Sequence, residues 1–512
     1  MDTPASPLQL SLAPGNGRRV LVTGASGYIG GRLIPELLAA GFTVRASARN
    51  IERLRSRAWS GQVELAEADL QSPEQVRAAM DGVHTMLYLV HSMGQGDDFI
   101  SREEQIARTV AAAAAEAGVA QIVYLGGLHP GGELESLSDH MRSREQVGRI
   151  LLAAAVPALV LRAGVVIGSG SVSFEMIRHL TDLLPVMPGP RWLNNRIEPI
   201  AIRDVLYYLA RASALPEPVN DDVGIGSGQV LRFRDMLTAY GQVAGLRRRR
   251  VLALPVPAPR LSGFWITMTT PIPRGIAMPL AASMAQDAVT TDHRIAEIIP
   301  DPPDGLTSYR QACRRAIQRQ LAGHVTVTWD HDVQAEADPA DPLPSDPQWA
   351  GHTVFTDVRQ RHGAAAPEAV WQVVEGIGGE NGWYSPAILW RVRGLLDRAA
   401  GGHGLARGRR DPHHLQVDDH VDFWRVESIT PGRSLTLRSE MRAAGRAWLQ
   451  LTVRPGADGG TDYRQRAIYF PRGLLGRLYW GVLVPFHALI FPTMARNILR
   501  AAQRAGAGER RA

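Results

Sequence analysis

The chain of 512 residues is 45% hydrophobic and 21% charged, a globular balance that excludes a largely disordered polypeptide. Its 56 basic residues are all arginine, which excludes a Schiff-base lysine, a Walker-A lysine and a Tyr-x-x-x-Lys dyad; its one cysteine, Cys313, excludes an internal disulfide framework and a cysteine-based metal cluster. Length predicts two to four domains, and the charge is uneven along them: residues 1–324 hold 33 Arg against 30 carboxylates, residues 351–512 hold 23 against 14.

Residues 1–17 are rich in Pro and Ser and lack both a charged start and a long apolar run. They are expected to be a disordered tail rather than a signal peptide, with the protein cytoplasmic. Val20–Thr23 then reads as a buried strand, and Gly31–Ala40 has helical apolar spacing. Further strands are expected at Thr43–Ala48, Val63–Glu67, Thr85–Val90, Gln121–Leu125 and Ala158–Arg162. Helices are expected between them at Glu74–Met80, Phe99–Ala117 and Ser138–Ala154. This alternation predicts an α/β, doubly wound Rossmann domain with a parallel sheet. Arg203–Ala214 and Phe233–Ala244 read as helices of a small cap region, so the domain is expected to run from 18 to 325.

Residues 326–350 are acidic and Pro-rich and read as a linker. Beyond them, strands are expected at Thr353–Arg359, Val421–Glu427, Ser434–Glu440, Ala447–Val453 and Asp462–Phe470, with a short helix at Pro367–Glu375. An apolar helical stretch, Leu474–Leu499, closes this α+β domain, expected over 351–505. Within it, Leu478–Ala495 reaches roughly 27 Å as a helix, marginal for a membrane span. Three readings stand open: a buried core helix, a contact with a membrane surface, and a span. The chain shows no zinc-finger spacing and no basic helix with heptads, so no nucleic-acid partner is expected.

The strand–turn–helix at the start carries Gly24-x-x-Gly27-x-x-Gly30. Gly24 suits a tight turn, Gly27 a close backbone approach to a pyrophosphate, and Gly30 close packing of helix on strand. The helix N-terminus adds amide donors for the phosphates. The second strand ends on Arg49 rather than an acid, and a guanidinium there clamps a 2′-phosphate. The cofactor is therefore expected to be NADP(H) in preference to NAD. Ser26, Tyr28 and Ile29 belong to the same turn, Asp69 and Leu70 are placed against adenine, and Val90 and His91 beside the ribose.

Thr23–Gly30, Arg49, Asp69-Leu70 and Tyr88–Met93 together resemble the short-chain dehydrogenase/reductase superfamily. The likeness is to its atypical, NmrA-like branch and the bacterial NAD(P)-binding epimerase/dehydratase-like proteins, and it extends to about residue 245. The resemblance implies a nicotinamide oxidoreductase, acting here on a hydrophobic substrate. It also implies a Tyr-x-x-x-Lys pair on the helix after the fifth strand. This chain has His140 at the tyrosine position, Arg144 at the lysine position, and Gly126-Gly127 where a serine is usual. His140, titrating near its ordinary value, is the expected proton donor or acceptor, with Arg144 orienting the ribose. The alternative is a non-catalytic NADP(H)-binding sensor, scaffold or assembly protein, a role at the inner face of a membrane included.

Trp383-Tyr384, Leu389–Asp397, Gly408–Pro412, Asp422–Glu427 and Tyr479-Trp480 resemble the domain of unknown function that follows the Rossmann domain in that bacterial group. It is similar to START-like helix-grip domains, which implies a hydrophobic small-molecule ligand. Arg391, Arg393, Arg409 and Arg410 are candidates to surround an anionic group. His403, His413, His414 and His420 fit no metal-ligand spacing, and no metal site is expected.

Overall fold

The computed structural model describes residues 17–509 apart from 56, 91–96, 130–133, 135–136, 254–271, 273, 285, 291–292, 327–352, 387–408, 410, 412, 442–444 and 457–458. The expected N-terminal tail and acidic linker thus lie outside the described residues, save for Gly17 and the end of a helix at Thr326. Two compact units divide the chain, Met1–Gly351 and His352–Ala512.

The first unit runs β1 (Arg19–Thr23), α1 (Tyr28–Ala39), β2 (Thr43–Ala48), α2 (Glu52–Arg55), β3 (Glu64–Glu67), α3 (Pro73–Met80), β4 (Thr85–Tyr88), α4 (Asp97–Glu116), β5 (Gln121–Gly127), α5 (Asp139–Leu152) and β6 (Ala158–Ala163). It continues with β7 (Val166–Ile167), α6 (Val172–Leu183), β8 (Val186–Gly189), β9 (Arg196–Ile197), β10 (Ile200–Ala201), α7 (Ile202–Ser213), β11 (Asp221–Ile225), β12 (Leu231–Arg232), α8 (Phe233–Val243) and β13 (Arg250–Ala253). Helices α9 (Arg274–Ser283), α10 (Ile295–Ile298) and α11 (Tyr309–Thr326) complete it.

Seven parallel strands form one sheet in the order β11-β6-β5-β4-β1-β2-β3. Val20, Leu21 and Val22 of β1 are fully buried because helices cover both faces of the sheet. Leu33, Ile34 and Leu37 of α1 pack with Val205, Leu206 and Leu209 of α7 in one core layer. Val76, Ile106, Val110, Val147 and Leu151 of α3, α4 and α5 fill the other. The chain steps from β3 back past β1 to β4, so the sheet reverses direction between β1 and β4. In open α/β sheets a crevice opens there, beyond the carboxyl ends of the strands.

The seventh strand, β11, carries Asp221 and Asp222 and lacks the apolar run of its neighbours. Side chains fix its place. Gln121 donates to Val219 O (2.9 Å) and accepts from Val219 N–H (2.6 Å), and Asn220 Oδ1 accepts from Ala158 N–H (2.9 Å). The cap region has its own core, with Phe174, Ile177 and Leu180 of α6, Phe233, Leu237 and Tyr240 of α8, and Cys313 of α11. Burial pushes the Cys313 thiol up to about 12, so it is an inert core residue.

The second unit has β14 (Phe355–Gly363), α12 (Pro367–Glu375), β15 (His420–Val421), β16 (Trp424–Thr430), β17 (Ser434–Ser439), β18 (Gly445–Pro455), β19 (Thr461–Pro471) and α13 (Gly473–Glu509). Its six strands pair antiparallel in the order β14-β19-β18-β17-β16-β15. Leu449, Leu451 and Val453 alternate along β18 into a core that takes Met494, Ile498 and Ala502 from one face of α13. Gly363 lies so close to α13 that a Cβ there would sit 2.9 Å from Leu499. The two ends of α13 differ sharply. From Ile490 onward it is a core helix; before that its apolar residues are largely exposed.

Candidate cofactor cleft

A cleft of about 840 Å³ opens at the carboxyl edge of the parallel sheet, a size proper to a cofactor with its substrate. Gly24 ends β1 with φ +68°, and a Cβ there would approach Leu89 O to 3.1 Å. Gly30 permits the close approach of α1: its Cβ would fall 2.5 Å from Gly24 O. Gly27 is the N-cap of α1, and its N–H donates to Gly24 O (2.8 Å). The first intrahelical bond runs from Gly31 N–H to Gly27 O, so the amides of Tyr28, Ile29 and Gly30 have no acceptor within the helix. They and the helix dipole present positive potential at one end of the cleft.

Arg49, at the end of β2, is exposed on the cleft wall and makes no hydrogen bond or ion pair among the described residues. Asp69 also lines the cleft, but its carboxylate first serves its own turn, accepting from Gln71 N–H (3.0 Å). Leu70 beside it is buried. Of the expected site residues, Gly24, Ser26, Gly27, Tyr28, Ile29, Gly30, Arg49, Asp69, Leu70, Val90, His140 and Arg144 all line this one cleft. His91 lies outside the described residues.

The other end is built by β5 and α5. Ser138 caps α5 by accepting from Met141 N–H (3.4 Å), which sets His140 and Arg144 one turn apart on the cleft side. Burial first, and then the Arg144 charge, lower the His140 imidazole to about 3. The expectation of a histidine titrating near its ordinary value is corrected: at neutral pH this ring is neutral. Arg144 donates through Nη2 to Leu125 O (2.8 Å), while its buried Nη1 has no hydrogen-bond partner among the described residues. A Cβ at Gly127 would fall 2.7 Å from Met141 Cε, so a serine there would require the flexible Met141 side chain to shift. Tyr88 and Tyr124 are buried in the sheet and do not line the cleft, so neither replaces the missing tyrosine.

Behind α5 lies an ionic network. Glu145 accepts from Arg149 (2.7 Å), pairs with Arg162 (2.8 Å) and meets His129 Nε2 (3.0 Å), while Arg162 also holds Asp222 on β11. The His129 hydrogen bond leads the effects that hold the Glu145 carboxyl down to about 2. Sequence reasoning missed this network, and it missed three parts of the cleft wall: Arg102 of α4, Ser171 and Ser173 at the start of α6, and Ser283 and Met284 at the end of α9. The serines before α6 carried a helix-start signal; nothing near Met284 did.

In the second unit, Arg409 is tied to the fold. Its Nε and Nη1 donate to the carbonyls of Glu375 (2.8 Å), Ile377 (2.7 Å) and Asp411 (2.6 Å), while its buried Nη2 has no hydrogen-bond partner among the described residues. Arg391, Arg393, Arg410 and His403 lie outside the described residues. His414 and His420 approach Glu375 (3.5 Å) and Glu440 (3.2 Å), and His413 holds its backbone to Asp411. No group of three or more metal-ligating side chains occurs among the described residues.

Residues 24–163 match a family model described as NAD(P)H-binding, and residues 349–494 match one described as a protein of unknown function (DUF2867). Over residues 24–163 the first unit is thus similar to NAD(P)H-binding domains, and the expected nicotinamide dinucleotide is the ligand class of that matched family. Cinnamoyl-CoA reductase 1 of Oryza sativa subsp. japonica is 31% identical over 116 residues, 22% of this chain and 34% of that protein. Its Arabidopsis thaliana counterpart is 32% identical over 123 residues, 23% and 36% of the two chains. The chain therefore spans about a third of the length of these relatives. Among solved structures, Citrobacter sp. triphenylmethane reductase complexed with NADP(H) is 21% identical, covering 58% of this chain and 99% of that one, with a TM-score of 0.46. The NADPH-dependent quinone oxidoreductase QOR2 of Escherichia coli is 19% identical, covering 57% and 98%, with a TM-score of 0.45.

Proposed function

We propose that the protein is an NADP(H)-dependent reductase of the atypical short-chain class, acting on a hydrophobic small molecule. The observation that carries the reading is the partnerless Arg49 guanidinium on the wall of the cleft that also takes the open N-terminus of α1. The α1 amides would hold the pyrophosphate, Arg49 the 2′-phosphate, Asp69 and Leu70 the adenine, and Val90 the ribose. When bound, the reduced nicotinamide supplies a hydride. Leu128, Met141, Val166, Leu280 and Met284 give the cleft apolar walls for a hydrophobic acceptor. His140, held neutral, donates an N–H hydrogen bond to the substrate oxygen rather than transferring a proton from imidazolium, and the oxyanion left by hydride addition takes its proton from water. Arg144 adds a fixed positive charge that favours an oxyanion. The two cinnamoyl-CoA reductases support reductase chemistry over the region they share with this chain. For the second unit we propose a hydrophobic ligand held between sheet and helix, after the helix-grip resemblance.

A second reading, a non-catalytic NADP(H) sensor or scaffold, is favoured by the same His140: an imidazole lowered to about 3 is a poor acid at neutral pH. Calorimetric titration with NADPH and NADH, followed by nicotinamide absorbance in the presence of quinones or aldehydes, separates the readings. NADPH is expected to bind more tightly than NADH. Arg49→Gln should weaken NADPH binding by roughly ten- to hundredfold, the worth of a charge-assisted hydrogen bond, and leave NADH unchanged. Tight binding with no oxidation by any acceptor selects the sensor. Equal loss of both cofactors in Arg49→Gln removes the phosphate clamp.

A further inference from the structure

The turn Gly168–Ser171 joins β7 to α6 and supplies part of the cleft wall. Gly170, Ser171 and Ser173 line the cleft, shortly after Val166, one of the apolar residues assigned to the acceptor. Within the turn, Ser171 N–H donates to Gly168 O (3.1 Å) and Ser171 Oγ to Val166 O (2.7 Å). Gly170 takes φ +84°, a conformation open to glycine and strained for other residues.

Two further ties come from helices. One comes from α6: Glu175, fully buried, accepts from Gly170 N–H (3.0 Å) and is itself held by the fully buried Arg178 (2.7 Å). The other comes from α1, the helix that turns its first amides to the cleft. Arg32 of α1 is 5% exposed and donates through Nη2 to Ser169 O (3.1 Å). Nη1 of the same guanidinium donates to Tyr28 O (3.3 Å), and its Cζ lies 4.2 Å from the centre of the Tyr28 ring. Tyr28 also abuts the turn, since a Cβ at Gly168 would fall 2.5 Å from Tyr28 Oη. Arg32 is thus fastened at once to the first residue of α1 and to the turn. A guanidinium fork can serve both carbonyls, and bonds from a buried cation are stronger than those from a neutral donor.

We propose that Arg32 is a positioning residue: it ties the Gly168–Ser171 turn to the helix that receives the dinucleotide phosphates, so that filling the N-terminus of α1 stiffens the acceptor wall. The inference rests on the reading of the cleft as an NADP(H) site and adds how the cofactor acts on the acceptor's part of it. The physical route is short. Phosphates on the amides of Tyr28, Ile29 and Gly30 hold the first turn of α1 still. Tyr28 then holds the guanidinium, and the guanidinium holds Ser169 O. Arg32 itself does not line the cleft, so it acts through these neighbours.

The test is hydrogen exchange of the full-length protein, read by mass spectrometry over residues 168–175, with and without NADPH at a saturation fixed by calorimetry. The amides of Gly170 and Ser171 report, because each is hydrogen-bonded and exchanges only when the turn opens. In the wild type NADPH should slow their exchange about tenfold, the factor that one buried hydrogen bond supports. Arg32→Met should bind NADPH within a few-fold of the wild type yet show no such slowing. Arg32→Lys keeps the charge but cannot reach both carbonyls, and should restore part of it. If Arg32→Met does not fold, a slowing in Arg32→Lys smaller than in the wild type decides. Undiminished slowing in the variants overturns the proposal, as does tight NADPH binding by the wild type with no slowing. So does exchange in Arg32→Met that rises alike in β1 and β6, which makes Arg32 a general packing residue. A wild type that binds no NADPH overturns the reading of the cleft itself, and the inference with it.

Discussion

The two ends of the cleft are built from the same element, a strand end passing into a helix, yet they work in opposite ways. At the β1–α1 end the functional groups are backbone amides and an exposed guanidinium, and the glycines act by what they lack. At the β5–α5 end the functional groups are side chains taken out of water: a buried imidazole with a cation one turn away. A backbone site depends on spacing alone and keeps its character wherever the turn forms. A side-chain site depends on its desolvation, so its chemistry belongs to the packing around it.

Breaking the first end should have the largest effect. In Gly30→Ala the new Cβ would meet Gly24 O at 2.5 Å, and backbone cannot yield as a flexible side chain does. Loss of measurable NADPH binding is expected, together with a lowered Tm by differential scanning calorimetry. If Gly30→Ala bound NADPH normally, the turn would not be what holds the phosphates. The second end should respond differently. His140→Phe removes the N–H donor without adding charge, and kcat should fall about a hundredfold, the worth of one donor to a developing oxyanion. NADPH affinity should stay within a few-fold, because the α1 half is untouched. An unchanged kcat would remove His140 from the reaction, and a parallel loss of affinity would make it a packing residue.

The same division explains what the sequence disclosed. Six of the seven parallel strands were legible because short runs such as Val20–Thr23 alternate with helical stretches between turns. The glycine turn was legible because three residue identities at fixed spacing define it. The strand β11 was not, because its place comes from Gln121 and Asn220 hydrogen bonds made across many residues of chain. His140 was found by position, but its ionisation was misjudged, since burial is not written in the local sequence. The carbonyl partners of Arg409 were hidden for a related reason: Glu375 and Ile377 lie more than thirty residues away, and only the fold brings them to it. For α13 the sequence left three readings, and the structure shows a core helix from Ile490 onward, because only the sheet decides which turns are covered.

The smallest effect is the one that reports desolvation directly. In the folded chain the His140 imidazole takes up its proton only near pH 3, whereas an unfolded chain does so near 6.5. Between these values the unfolded state holds more protons. Stability is therefore complete above pH 6.5 and falls as the pH is lowered, by at most about 1.4 kcal/mol per unit. Glu145 adds a second, lower window. Its carboxyl, ordinarily near 4.5, is held to about 2 in the folded chain, so its contribution is lost as the pH drops from 4.5 through 2. Both groups destabilise the fold in acid, but they begin at different points. Thermal unfolding of His140→Phe against the wild type, followed by Tm from pH 7 downward, should separate them. Between pH 6.5 and 4.5 the variant's Tm should hold steady while the wild type's falls; below 4.5 both should fall as Glu145 contributes, the wild type still the faster until His140 protonates near pH 3. Curves that stay parallel over the upper window would mean that the ring is already hydrated in the folded protein. The contrast between the two ends of the cleft would then collapse to one of sequence alone.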